Sequence, residues 1–175
     1  MLTEERNEKD MELWRKLFES EIIYIQNRQE FLNHSTNRVA TIEKALHNPA
    51  ERGTALRLIE YCTTEECQSL FDDLVILASV SHADIELARK AILSLPKTWL
   101  LANIENSAEL LLKDGTDEEY RRLLELYIHI DEGLTQKLVN QALNHPDPDI
   151  QEVGSDFQGY MRKSDRHTIT QVHNC

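Results

Sequence analysis

Turn-forming residues recur along the chain at a nearly fixed interval. The turns begin at His47, Ser81, Asp114 and His145, so successive turns are 34, 33 and 31 residues apart. Each turn is followed by apolar residues at spacings of three and four, then by a short break and a second segment of the same kind. One helical hairpin cannot bury its own apolar face, so neighbouring hairpins must stack. The sequence therefore predicts an array of α-helical hairpins.

The same apolar spacing defines the individual helices. A long first helix over 4–32 carries five apolar residues on one face: Met11, Trp14, Phe18, Ile22 and Ile25. Further helices are predicted at about 39–46, 55–62, 65–79, 85–95, 98–113, 120–130, 134–142 and 150–161. Five glycines and four prolines are too few for an all-β protein built on tight turns. The prediction is an all-α chain.

Two segments carry a resemblance to a known family. Residues 84–91 (DIELARKA) and 146–150 (PDPDI) each place an aliphatic residue after an Asp or Asp/Pro turn, at the start of a helix. In this the chain resembles the HEAT-like repeat family over about residues 36–161, or three repeats and a half. It departs from the family at residues 49–52, which lack the Asp, at Gln151, where Arg is common, and in repeat length. The resemblance implies a right-handed α-α superhelix of stacked hairpins, preceded by the long N-terminal helix.

The resemblance also implies a binding surface. In HEAT-like arrays the second helix of each hairpin lines the concave face, which here means the helices near 65–79, 98–113 and 132–144. One row of exposed residues is expected to contain Asp73, Asn103 and Lys137, and another to contain Ile76, Asn106 and Asn140. With the nearby Asp72, Glu109 and Gln141, these nine residues are the candidate binding site. The alternative, that they are ordinary solvated helix residues, stays open.

The charge of the chain is strongly negative and unevenly distributed. There are 31 Asp and Glu against 19 Lys and Arg, and residues 101–161 alone carry 13 acidic and 4 basic side chains. A broad nucleic-acid surface is not expected, since it requires clustered Lys and Arg. The acidity favours either a basic protein partner or plain solubility. The segment 162–175 is basic and is predicted to be a flexible tail after a single helical-repeat domain over 1–161.

Three Glu-x-x-x-His pairs place both side chains on one helical face, the geometry of a metal site. They are Glu30/His34, Glu43/His47 and Glu125/His129. Neither the His-Glu-x-x-His zinc motif nor the Glu-x-x-His di-iron motif is present, so a structural role is favoured. Cys62 and Cys67 lack two further ligands at zinc-site spacing and are predicted to be buried free thiols.

The turn at 145–149 crowds His145, Asp147 and Asp149 between prolines. A cation site is conceivable there, but an Asp that caps the following helix explains the residues without one. Trp14 and Trp99 are predicted to lie in the core or at an interface of the first helix. With no phosphate-binding loop and no nucleophile elbow, the sequence predicts no catalytic residue, no metal and no cofactor.

These features favour a non-catalytic, acidic protein-binding module, of which an immunity or antitoxin protein that masks a basic nuclease is one concrete form. One alternative is an adaptor whose apolar anchors are Ile76, Trp99 or Tyr160. Another is a HEAT-like DNA glycosylase or a metal-dependent hydrolase, which the charge and the missing motifs disfavour. A charged N-terminus and the lack of a long apolar run predict a cytoplasmic protein with no membrane partner. The oligomeric state is left open.

Overall fold

A computed structural model describes the backbone of residues 2–172 and the side chains of residues 7–162. Within 2–172 the chain is all-α: ten helices and no β-strand, which confirms the predicted class. The helices are α1 (Leu2–His34), α2 (Arg38–Leu46), α3 (Arg52–Ile59), α4 (Thr64–Ser69), α5 (Phe71–Ala78), α6 (Ile85–Leu93), α7 (Lys97–Lys113), α8 (Asp117–Tyr127), α9 (Glu132–Leu143) and α10 (Pro148–Val172).

The backbone contacts divide the chain into two compact units, Met1–Lys44 and Ala45–Cys175. The first unit consists of the long helix α1 and most of α2. The guanidinium of Arg38 donates to the carbonyl of Leu32 at 2.8 Å, which satisfies one of the carbonyls left open at the end of α1. Trp14 is 64% exposed, so its predicted place in the core is wrong. The spacing of apolar residues identifies a helical face but does not identify what covers it.

The second unit has a continuous apolar core to which each of its helices α3–α10 contributes. α5 packs against α6, α7 and α8, while α3 packs against α6, and α8, α9 and α10 pack against one another. Residues with no exposed surface occupy the contact faces, among them Leu74, Val75, Ile92, Ile104, Leu124, Val139 and Ile150. Burial of each such aliphatic side chain stabilises the fold by roughly 1.5–3 kcal/mol relative to exposure.

Two capping boxes fix where helices begin in this unit. The hydroxyl of Thr63 accepts from the backbone N–H of Glu66, whose carboxylate accepts in return from the N–H of Thr63. Thr116 and Glu119 form the same arrangement at the start of α8. Because Thr63 begins a helix and the backbone leaves helical geometry at Leu70, the single helix predicted over 65–79 is two helices, α4 and α5.

Hydrogen bonds and ion pairs join helices that are distant in sequence by one predicted repeat. Lys90 bonds to Glu60, Arg89 to Glu125, Arg121 to Asp156 and Ser107 to Asp72, with separations of 30, 36, 35 and 35 residues. The first bond connects α6 to the end of α3, the second connects α8 to α6, and the third connects α10 to α8. The fourth connects α7 to α5. These four separations lie close to the 31 to 34 residues between the turns.

The turn before α10 is an N-cap, as the sequence predicts. Asp147 accepts from the backbone N–H of Asp149 at 2.9 Å, and α10 begins at Pro148. The backbone of α10 is described as far as Val172. The side chains of 163–172 and all of residues 173–175 lie outside the described part of the chain, so the flexible basic tail over 162–175 stays a prediction, as does the single domain over 1–161.

Candidate functional site

A cleft of about 610 Å³ opens between α7 and α9, with α8 behind it. Its walls are mainly polar and its deepest side chains are apolar or aromatic. The residues that form it are Glu105, Asn106, Glu109, Leu112, Lys113, Tyr127, Lys137, Leu138 and Gln141. Four of these, Asn106, Glu109, Lys137 and Gln141, belong to the binding site predicted from the sequence.

Helical spacing places these side chains on the walls of the cleft. On α7, Glu105 and Glu109 are four residues apart, so both project from the same side of the helix. On α9, Lys137 and Gln141 have the same spacing. The buried residues Ile104 and Leu138 hold these two helices in the core of the unit.

An ion pair crosses the cleft. The ammonium of Lys137 lies 2.5 Å from the Oε1 atom of Glu105, and the two side chains are 69% and 47% exposed. Exposed pairs of this kind contribute only about 0.2–1 kcal/mol, because water and salt screen them. Lys137 can therefore leave Glu105 at little cost when another cation approaches.

Tyr127 lies at the bottom of the cleft and is 2% exposed. Its hydroxyl is buried and has no hydrogen-bond partner within the described residues. Burial and, to a smaller extent, the charge of Glu105 raise the pKa of Tyr127 well above its ordinary value of 10. The hydroxyl is therefore protonated at neutral pH, and it can both donate and accept a hydrogen bond. A buried hydroxyl without a protein partner is unusual in a folded protein.

The other five predicted site residues have different surroundings. Asp72 accepts from the hydroxyl of Ser107 at 2.5 Å, and Asp73 lies 3.0 Å from the imidazole of His47. Asn103 donates to a carbonyl of its own helix, and Asn140 accepts from a glutamine amide on α9. Ile76 is 43% exposed on α5.

The contacts between helices also differ in register from the predicted rows. Lys137 contacts Glu105 rather than Asn103, and α5 contacts α7 through Asp72 and Ser107. Sequence spacing alone cannot give the stagger between two helices, so the predicted rows stay a prediction.

Five residues of the cleft are not among the predicted site residues: Glu105, Leu112, Lys113, Tyr127 and Leu138. Glu105 and Lys113 have the helical spacing of Glu109 and could have been included as neighbours on the same face. Tyr127 carried no such indication, since its apolar spacing in α8 predicts only a core position. Its unpartnered hydroxyl is a property of the tertiary structure.

The remaining candidate groups have structural roles. His34 contacts the carbonyl of Glu30, His47 pairs with Asp73, and Glu125 is bound by two arginines, so no Glu-x-x-x-His pair acts as a unit. Within the described residues, no three His, Cys, Asp or Glu side chains converge as metal ligands would.

Cys67 is buried while Cys62 is half-buried, and both are free thiols. Burial and the neighbouring Glu66 raise the pKa of the Cys67 thiol, which makes it a poor nucleophile. Of the proposed apolar anchors, Trp99 is half-buried, with its ring edge-on to Phe71 at 4.9 Å. Tyr160 is 57% exposed on α10.

The acidic residues of 101–161 stay largely unneutralised. Three of the four basic side chains in this stretch, Arg121, Arg122 and Lys137, form ion pairs with its own carboxylates. Glu109, Glu132 and Glu152 are exposed and form no ion pair within the described residues. Residues 101–161 as a whole are therefore negative, while the cleft itself is lined by two carboxylates, Glu105 and Glu109, and two ammonium groups, Lys113 and Lys137.

We compared the chain with protein-family models, curated proteins and solved structures, and none of the three comparisons found a match. Among the described residues, no helix combines the length and the apolar character that a membrane span requires.

Proposed function

We propose that this chain is a non-catalytic protein-binding module whose cleft between α7 and α9 receives a basic side chain of a partner protein. The observation that carries the proposal is the buried, unpartnered hydroxyl of Tyr127 beside the carboxylate of Glu105. A lysine or arginine that enters the cleft supplies the donor that this hydroxyl lacks and the positive charge that the surrounding surface favours.

An arginine suits the cleft best. Its planar guanidinium carries five donors, so one group can donate to Tyr127 and to a carboxylate at the same time. The carboxylate of Glu109 forms no ion pair within the described residues, and Glu105 is held only by the exposed Lys137. The incoming guanidinium replaces Lys137, which moves into solvent.

We further propose that α3–α10 form a HEAT-like stack of helical hairpins. The repeated separation of 30 to 36 residues between bonded helices supports this architecture. Such a stack is rigid across its hairpins and offers an extended surface without a large conformational change. Rigidity lowers the entropy lost on binding and so favours tight recognition.

A concrete form of this function is an inhibitor of the immunity or antitoxin type. A nuclease toxin must have a cationic active site, because its substrate is a polyanion. An acidic module with a cleft for an arginine can cover that site and exclude the nucleic acid. The adaptor alternative relies on exposed apolar anchors, and the packing of Trp99 against Phe71 leaves only Ile76 and Tyr160 for that role.

The proposal is tested with a fluorescent nonaarginine peptide, titrated with the full chain at 50 and 300 mM salt. We expect binding that weakens at least tenfold at the higher salt. The variant Glu105→Gln/Glu109→Gln should weaken binding about tenfold at low salt. The matched control Glu132→Gln/Glu152→Gln removes the same charge from exposed positions outside the cleft, and we expect less than a twofold change. Equal losses in the two variants would show that the charge acts diffusely and that the cleft is not the site.

A further inference from the structure

The helix α1 carries a face of exposed large apolar side chains. Nine large apolar side chains between Met11 and Ile25 are 38–64% exposed, with Trp14 the most exposed at 64%. Single exposed apolar residues are common on protein surfaces, but a contiguous set of this size marks an interaction site. This face is separate from the cleft and does not depend on its function.

The geometry of the helix shows how broad the face is. Residues advance by about 100° and 1.5 Å along an α-helix. Met11, Trp14, Phe18, Ile22 and Ile25 therefore lie within an arc of about 80° and along about 21 Å of the axis. Three further apolar side chains flank them, so eight of the nine lie on one half of the helix.

We propose that this face binds the same face of a second copy of the chain, with the two α1 helices antiparallel. Eight side chains that each expose roughly 100 Å² offer on the order of 800 Å² per subunit. That is about the area which each partner buries in a standard stable interface. A self-complementary face of this kind gives the two-fold symmetric dimer that is the commonest oligomer.

One pair of charges on α1, Asp10 and Arg28, favours the antiparallel arrangement. Asp10 and Arg28 are 18 residues apart, which is five full turns, so they lie on the same line along the helix. In an antiparallel pair centred on Glu19, each Asp10 lies level with the Arg28 of the other copy. A parallel pair would bring Asp10 level with Asp10 and Arg28 level with Arg28.

A lipid surface is a less suitable binding partner for this face than a second copy of the chain. Residues 7–34 contain six acidic and four basic side chains, whereas helices that lie on anionic membranes are rich in Lys and Arg. The negative potential of an anionic lipid surface repels such a helix. The α1 face of a second copy, which carries the same mixture of charges, does not repel it in this way.

Sedimentation equilibrium of the full chain between 1 and 100 µM tests the proposal. We expect a reversible dimer that Phe18→Glu, at the centre of the face, weakens at least tenfold. The control Leu110→Glu places the same charge at an apolar position of α7 that is 74% exposed, and it should leave the dimer intact. Circular dichroism verifies that each variant remains helical. A monomer at 100 µM, or a dimer that Phe18→Glu does not weaken, overturns the proposal.

Charge exchange tests the direction of the helices. Asp10→Arg should weaken the dimer, and Asp10→Arg/Arg28→Asp should restore it, because the antiparallel pair again brings opposite charges level. If the double variant dimerises no more tightly than the single variant, the antiparallel arrangement is wrong. A wild-type chain that stays monomeric and sediments with phosphatidylserine vesicles would assign the face to lipid instead.

Discussion

Arg89 of α6 and Glu125 of α8 form an ion pair in which Nη2 lies 2.5 Å from Oε2, although the residues are 36 positions apart in sequence. Arg122 binds both oxygens of the same carboxylate at 2.7 and 2.8 Å. The Arg89 side chain is only 13% exposed and that of Glu125 29%. A carboxylate that is fixed by two arginines in a half-buried place orients the two helices more firmly than a surface pair could.

Glu125→Gln should therefore destabilise the protein. The substitution keeps the shape of the side chain but removes the carboxylate that Arg89 and Arg122 share, and it leaves Arg89 with only the exposed Glu86 as an ion-pair partner. We expect the free energy of unfolding to fall by about 1–3 kcal/mol. Urea unfolding followed by circular dichroism measures the change. Glu60→Gln is the control, since Glu60 pairs with Lys90 in exposed surroundings and should cost less than about 0.5 kcal/mol. Equal losses of stability in the two variants would mean that the part-buried Arg89–Glu125 pair stabilises the protein no more than the exposed Lys90–Glu60 pair.

The stability of the protein should decrease in acid. Burial would raise the pKa of the Glu125 carboxyl, but hydrogen bonds and charges from Arg89 and Arg122 outweigh it and leave the pKa below the ordinary 4.5. The pKa of Glu118 is lowered mainly by hydrogen bonds from Ser81. Because these pKa values are lower in the folded state, their contribution to stability is complete above about pH 4.5 and is lost as pH falls through the folded values.

Denaturant titrations at pH 7, 5, 4 and 3 measure this dependence. We expect the free energy of unfolding to change little between pH 7 and 5 and to fall below that. Glu125→Gln should fall less steeply than the wild type, since one of the responsible carboxyls is gone. Parallel curves for the two proteins would contradict the assignment to Glu125.

Replacing each of two glycines of α10 by alanine should change the stability of the protein in opposite directions. A Cβ at Gly154 would lie 2.8 Å from the backbone nitrogen of Leu143, so Gly154→Ala must separate α9 from α10 and should cost about 1–3 kcal/mol. A Cβ at Gly159 meets nothing within 4 Å, and Gly159→Ala should stabilise the helix by up to about 1 kcal/mol. Thermal unfolding of both variants makes the comparison within one helix. A stabilised Gly154→Ala would show that the α9–α10 contact is looser than the distance indicates.

Tyr127→Phe should separate stability from binding. Its hydroxyl has no partner among the described residues, so its removal should leave the free energy of unfolding unchanged or raise it by up to about 1.5 kcal/mol. Affinity for the nonaarginine peptide should nevertheless fall several-fold, since the hydroxyl is then missing from the cleft. Tyr120→Phe serves as the comparison, because that hydroxyl accepts from Gln141 and its loss should destabilise. A Tyr127→Phe variant with unchanged affinity would remove the hydroxyl from the site.

Helix positions followed closely from the sequence because their causes are local. Apolar spacing defined the long first helix and all the later ones to within a few residues at most ends, and Pro49, Pro96 and Pro146 lie in breaks between helices, as predicted. The Asp147 cap was predictable for the same reason. The break at Leu70 was not, since Leu70, Leu74 and Leu77 keep helical spacing across it.

Only part of the candidate site could be predicted from the sequence. Helical faces on α7 and α9 brought four predicted residues to one cleft, because side chains four apart share a face whatever surrounds them. Asp72 and Asp73 were assigned to the same surface, but Asp72 contacts Ser107 of α7 while Asp73 contacts His47, which follows α2. The stagger between helices depends on how their side chains interdigitate, which no spacing rule provides.

The chain's own order of apolar, turn and charged residues determined that it is helical, where most of its helices lie, and that its acidity is concentrated in one third. Only the folded arrangement decided that Tyr127 reaches the cleft without a partner, that Glu125 is shared by two arginines, and that the apolar face of α1 is left open. The division has one cause: local structure depends on neighbours a few residues away, whereas burial and pairing depend on residues that packing brings together from distant positions.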